Sequence, residues 1–305
     1  MANAKDLTTA NTFQRILAVG LGGAGKTSQL LTLPGKVFGY IFDPSALASL
    51  AGHDIEYALF LPEAAELDAT LKGFNKNARP DDKPKGAREP TVYSRWVEDL
   101  NQREKDGFFK TIDWLYLDSL TLLKSALMDR QLWINNRYGS IEDLGDYRVT
   151  GSKLVEVLRS VFSLPVNIFC TGHLTSYQDE KTKKIEVQVD LPGKARLMLP
   201  LLCSNIWEFR ATTEDEERYN MLTRPEVRGF QSIRSSIKDL PPVIDVTIKD
   251  FSHPGDYGVG AILAGKITKG MALSGNSKPE RPALKKLQTL PASDSSAASK
   301  EPSAS

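Results

Sequence analysis

The chain has 305 residues, of which 41% are hydrophobic and 25% charged, with a formal net charge of +1 at pH 7. That length holds one large domain or two small ones, and the composition excludes a wholly disordered or fibrous protein. The near-zero charge balance gives no global attraction for nucleic acid, so any such binding needs a local basic patch. Cys170 and Cys203 are the 2 cysteines. Both sit in apolar stretches and read as reduced core thiols. With 3 histidines and no C-x-x-C pattern, the chain offers poor material for a zinc centre. No apolar run approaches membrane-spanning length, and no basic stretch followed by an apolar one opens the chain. A cytoplasmic protein is expected (host cytoplasm if phage-encoded), without a membrane partner.

Residues 1–11 are small and polar and read as a flexible N-terminus. Phe13 to Val19 reads as the first strand. It runs into Gly20-Leu21-Gly22-Gly23-Ala24-Gly25-Lys26-Thr27, which fits G-x-x-x-x-G-K-[ST] at every fixed position. Ser28-Gln29-Leu30-Leu31 can then start a helix, which Pro34-Gly35 cuts short. Strand, glycine-rich turn and helix start are what a phosphate-binding loop requires. The glycines let backbone N–H groups turn inward, and the helix end adds partial positive charge. Gly20, Gly22, Gly23, Ala24, Gly25, Lys26, Thr27 and Ser28 are therefore the expected ATP-binding residues. Lys26 can reach the β- and γ-phosphates, and the Thr27 hydroxyl can hold Mg²⁺.

Lys36 to Phe42 is a second apolar strand, ending in Asp43. Ile55 to Leu61 reads as a third. Residues 72–90 are rich in lysine, arginine and proline and form a basic surface excursion. Val92 to about Glu104 reads as a helix with Val92, Trp96, Val97 and Leu100 on one face, Trp96 being a packing residue. Ile112 to Ser119 is an apolar strand closed by Asp118. A buried parallel strand that ends in an acid delivers a carboxylate to the ligand edge, so Asp118 is the expected Mg²⁺ carboxylate, a turn-forming role being the alternative.

Leu120 to about Trp133 and Gly151 to Phe162 read as helices, the second stopped by Pro165. Val166 to His173 is another strand, whose end carries Thr171 and His173. His173 there can sense a γ-phosphate, orient water, or simply cap the strand. Tyr177 to Val189 alternates like a hairpin with Lys181, Lys183 and Lys184 at its tip. Those lysines belong either to a solvated turn or to a contact with nucleic-acid phosphates. Asn205–Ala211 and Glu217–Thr223 read as paired strands. Arg224, Arg228 and Arg234 follow; one could reach a phosphate on this chain or a neighbouring subunit, the alternative being ordinary surface residues. Ala261 to Ala264 is a small strand or helical turn. Residues 271–305 are Pro-, Ser- and Ala-rich and read as a disordered tail.

These motifs resemble the RecA/Rad51-like branch of the phosphate-loop ATPases, and within it the phage-type single-domain ATPases that include the RecA-core-only annealing proteins. The resemblance runs from about Phe13 to Arg234. Gly20–Thr27 is similar to the first nucleotide motif, Trp114–Ser119 to the second, and Asn167–His173 to the strand whose end senses nucleotide state. It implies an α/β fold with a mostly parallel central sheet flanked by helices, an antiparallel C-terminal extension, and one ATPase domain over 12–270. It also implies Mg²⁺ and ATP as cofactors, single-stranded DNA as a partner, a homo-oligomer, and recombination or annealing as the task. A replication or recombination partner could bind the tail. Ile41–Leu47 is similar to the segment that supplies the family's catalytic glutamate, but the matching residue here is Ser45. Asp43 is the substitute base, with Glu56 and Glu63 as alternatives. Lys26, Asp43 and His173 are then the catalytic set. The serine also leaves open a nucleotide-controlled assembly protein that hydrolyses ATP weakly and ignores DNA.

Overall fold

The computed structural model describes residues 13–63, 89–178, 183, 185–212, 218–227 and 229–267, all within one unit spanning 1–272. The flexible start expected at 1–11, most of the basic excursion at 72–90 and the tail at 271–305 lie outside the described residues.

Among the described residues nine strands make the sheet: β1 (Arg15–Gly20), β2 (Val37–Ile41), β3 (Glu56–Leu59), β4 (Trp114–Asp118), β5 (Asn167–Gln178), β6 (Ile185–Val189), β7 (Asn205–Thr212), β8 (Arg218–Leu222) and β9 (Val243–Asp245). Their order is β3-β2-β4-β5-β1-β7-β8-β9, with β6 paired to β5 off that path. The strands from β3 through β7 in that order run parallel. β8 and β9 continue the sheet antiparallel, and β6 returns antiparallel along the outer half of β5. This is the RecA-like phosphate-loop ATPase fold, mostly parallel with antiparallel strands at one end.

The central strands β2 and β4 are fully buried and apolar but for Asp118 because both of their faces are covered, whereas β3 at the edge is mostly exposed. Period-two alternation then sorts each strand's residues between two cores. Leu115 and Leu117 of β4 join the core that holds Trp96, Leu123 and Leu158, whereas Trp114 and Tyr116 join the core under the phosphate loop. The first core is covered by α2 (Val92–Lys105), α3 (Leu120–Ile134), α4 (Leu144–Phe162) and α5 (Gly193–Leu202). Trp96 is fully buried, edge-on to Tyr40 and Phe42, as a packing residue. The second core is covered by the segment after the loop, by α1 (Ala46–Leu50) and by α6 (Gly258–Leu263). Cys170 and Cys203 are buried free thiols.

Two helical features differ from the sequence expectation and a third decides between two alternatives. The segment after the loop is a 3₁₀ helix, Thr27–Thr32, not an α-helix. Pro34-Gly35 ends it early, and its side chains are tied to the far end of the domain. Gln29 donates to the Val246 carbonyl at 3.0 Å and accepts from the Val259 N–H at 3.0 Å. Thr32 accepts from the Gly260 N–H at 3.0 Å. So short an element adds little dipole.

Secondly, α4 starts at Leu144 rather than Gly151 because Asp143 and Asp146 form a reciprocal capping box. Arg137 bridges both acids, at 2.6 and 2.7 Å. Thirdly, where a small strand or a helical turn is expected, Ala261–Leu263 form the end of α6, a buried helix of the second core, with Ala264 as its C-cap.

Candidate nucleotide site

β1 hands the chain to the phosphate loop at Gly20, which lies beside His173 in the β1–β5 register. The close packing there needs glycine: a Cβ on Gly20 would stand 2.4 Å from the Phe209 carbonyl oxygen. Gly23 and Gly25 hold φ of +73° and +77°, the left-handed region that glycine adopts without strain. A Cβ on Gly22 or Gly23 would meet nothing within 4 Å, so the loop is open on that side. Gly25 is closed in by the Tyr219 ring of β8, whose Cδ1 would stand 2.6 Å from an added Cβ. A cleft of about 450 Å³ adjoins the loop, lined among others by Leu21, Gly22, Leu174, Val187 and Phe209.

Lys26 is buried and donates to the Gly20 and Leu21 carbonyls at 3.1 and 2.7 Å. Burial brings its ammonium pKa down to about 8, against the opposing pull of Asp118 and Asp43. The loop thus curls around its own lysine, a ready donor for phosphate oxygens.

β5 lies between β1 and β4, and its register sets Cys170 beside Leu117. The next step sets Thr171 beside Asp118. Both side chains then fall on the sheet face that carries the loop segment. Thr27 Oγ1 donates to Asp118 Oδ2 at 2.7 Å, and the Thr171 hydroxyl donates to Asp118 Oδ1. The Tyr116 hydroxyl also donates to Asp118 Oδ2, at 3.1 Å. Burial, followed by the Asp118 charge, pushes the Tyr116 phenol far above its ordinary pKa and keeps it a neutral donor.

The His173 imidazole is shifted below its ordinary value of 6.5, chiefly by burial and then by the Lys26 charge, with Asp118, Asp43 and Asp190 opposing. It stands as a neutral ring at neutral pH. The Asp43 carboxylate accepts the Ser45 N–H at 2.8 Å and shapes the entry to α1. Its electrostatic coupling to Lys26 and His173 places it in the same charged cluster. Ser45 itself is exposed.

Lys26, Thr27, Asp118, His173 and Asp43 therefore gather at one sheet edge, with Ser28 half-buried just behind Thr27. Glu56 does not belong there: it begins β3, opposite Phe38, and pairs with Lys36 at 3.3 Å near the far edge. Glu63 follows β3 on the near edge but is exposed and 4.0 Å from Arg95. Arg234 caps α5, donating to the Pro200 and Cys203 carbonyls. Arg224 is exposed, and Arg228 lies outside the described residues. Of the three lysines at the hairpin tip, Lys183 is exposed with φ of +56°. Lys181 and Lys184 lie outside the described residues.

Among the described residues, no group of three or more His, Cys, Asp or Glu side chains could hold a metal ion. The Thr27 hydroxyl and Asp118 carboxylate nonetheless suit Mg²⁺, which takes one or two protein oxygens and completes its shell with phosphates and water. No helix of the described residues is long and apolar enough to cross a membrane.

The AAA domain family matches residues 12–234. No curated protein matches the chain. Among solved structures, the chain is similar to a KaiC-like protein from the hyperthermophilic archaeon Pyrococcus horikoshii OT3, at 13% identity and a TM-score of 0.39, over 80% of this chain and 88% of that one. It is also similar to the flagellar accessory protein FlaH from Methanocaldococcus jannaschii, at 11% identity and a TM-score of 0.37, over 78% and 87% of the two chains.

Proposed function

The chain belongs to the AAA domain family, and from that premise we propose that it is a Mg²⁺-dependent ATPase that acts on single-stranded DNA as a phage recombination or annealing factor. One observation carries the reading. The strand whose Thr171 grips Asp118 is the same strand that continues through His173 to Gln178 and into the basic hairpin. Nucleotide would thus meet the middle of the β-strand whose outer end carries the DNA contact. Tyr177, 47% exposed near the outer end of β5, offers a face for a base to stack on. Lys183, with Lys181 and Lys184 beside it in sequence, supplies charge for the phosphate backbone.

In this reading Lys26 exchanges its loop carbonyls for β- and γ-phosphate oxygens. Thr27 and Asp118 hold Mg²⁺, which when bound offsets the charge of the phosphates. Asp43 orients or deprotonates the attacking water, and neutral His173 senses the γ-phosphate. The protein works as a homo-oligomer in the cytoplasm, in the host if phage-encoded, and its basic tail at 271–305 recruits a replication or recombination partner.

The exposed serine at position 45 favours a second reading, a nucleotide-controlled assembly or partner-binding ATPase without direct DNA action. One experiment separates the two: ATP turnover and oligomeric mass, with and without single-stranded DNA. Both rise with DNA under the first reading. If mass follows ATP alone and turnover ignores DNA, the first reading fails. Lys181/Lys183/Lys184→Ala should weaken DNA binding and flatten its salt dependence, and unchanged affinity at matched salt would sink the hairpin's role.

A further inference from the structure

We infer that Tyr116 is a positioning residue for the metal site, a role that rests on the Mg²⁺–ATP reading of Gly20–Thr27. Tyr116 stands two residues before Asp118 on β4, so strand alternation puts both on the face under the phosphate loop. Its ring is fully buried and stacked on Phe169, with centroids 5.6 Å apart and planes 19° from parallel. That stack fixes where the hydroxyl can point. It points at Asp118 Oδ2, at 3.1 Å, the oxygen that also receives the Thr27 hydroxyl at 2.7 Å. With Thr171 on Oδ1, three hydroxyls from three separate elements occupy both carboxylate oxygens.

This arrangement has a chemical consequence. A hydroxyl that lends a lone pair to Mg²⁺ must direct its proton elsewhere, and Asp118 Oδ2 is the acceptor for the Thr27 proton. Tyr116 pins that acceptor from behind, without touching nucleotide. Outer contacts of this kind orient the groups that hold a metal and tune its affinity. Thr27 and Asp118 would hold the ion, Asp118 in the orientation Tyr116 sets.

The test uses the full chain and Tyr116→Phe, which keeps the ring and its stack and removes one oxygen. ATP affinity is measured in EDTA and across a Mg²⁺ titration. Mn²⁺ binding to the protein–ATP complex is followed by electron paramagnetic resonance. The variant should match the parent in EDTA, while its midpoint for Mg²⁺ and Mn²⁺ rises on the order of tenfold. Saturating metal should restore parental ATP binding. Equal metal midpoints would overturn the role of Tyr116. A loss of affinity in EDTA together with a lower melting temperature would also overturn it, since that marks packing alone. A parent chain that binds no ATP in either buffer would overturn the nucleotide reading itself, and this inference with it.

Discussion

Thr171, midway along β5, donates its hydroxyl to Asp118 at the end of the neighbouring β4, inside the protein and out of reach of water. The contact joins the strand that passes Gly20 at His173 to the acid that receives Thr27. Asp118 therefore cannot turn without disturbing β5.

Thr171→Val keeps the shape of the side chain and removes that donor. Leaving Asp118 Oδ1 short of a partner should cost roughly 1–3 kcal/mol of stability, with a loss of Mg²⁺-dependent ATP turnover. Urea unfolding gives the first quantity and a turnover assay the second. A variant as stable and as active as the parent would refute the coupling.

Lys26→Met should abolish ATP binding and at the same time stabilise the protein. A lysine pKa brought from 10.5 to about 8 by burial represents a penalty on the order of 3 kcal/mol at neutral pH. Below about pH 8 the ammonium is charged folded and unfolded, and the penalty is constant. Between about 8 and 10.5 the unfolded chain binds more protons than the folded one. The parent's stability therefore rises through that window relative to the variant, and the gap between them closes. Denaturation of both proteins from neutral pH to beyond the window measures it. A gap that is constant or widens with pH would contradict the assignment.

Gly25→Ala and Gly23→Ala pay similar strain, roughly 1–2 kcal/mol for a left-handed alanine. Only the first also drives a methyl group into the Tyr219 ring. Gly25→Ala should be the more destabilising of the two, and adding Tyr219→Ala should recover the excess. If the two single variants melt together, Tyr219 does not brace the loop.

The family match ends at residue 234, but the second core does not. Leu240, Ile244, Val246, Val259 and Ile262 are buried against the loop segment and its neighbours. A chain ending at 234 should fail to fold, whereas one ending at 270 should melt like the full chain, as circular dichroism can show. Gly260→Ala offers a milder version, because its Cβ would overlap the Thr32 carbonyl. A cooperative melt from the shorter chain would disprove the dependence.

The phosphate loop and the positions of the six parallel strands were legible from residue order, while their parallel course was what the family resemblance implied. Strands buried on both faces are unbroken apolar runs, and the loop's glycine spacing has few other uses. Asp118 was legible because an acid ends such a run. Tyr116 was not: within Trp114–Leu117 it looks like one more large apolar residue, and only the face it shares with Asp118 reveals its hydroxyl. The start of α4 was missed because Asp146 stands where a capping box usually has glutamate or glutamine. α5 was missed because prolines stand at 192 and 200, before and inside it. Glu56 looked available as a base until the direction of β3 put it at the wrong edge.

The bonds from Gln29 and Thr32 to Val259 and Gly260 span 230 and 228 residues. Their timing follows from chain synthesis. The loop emerges from the ribosome long before the segment that locks it. Until then the nascent chain carries a nucleotide motif without its anchor, with an apolar sheet face still bare. Contacts this distant in sequence also slow the search for the native state. Competence to hold ATP should therefore arrive late and all at once, when α6 docks.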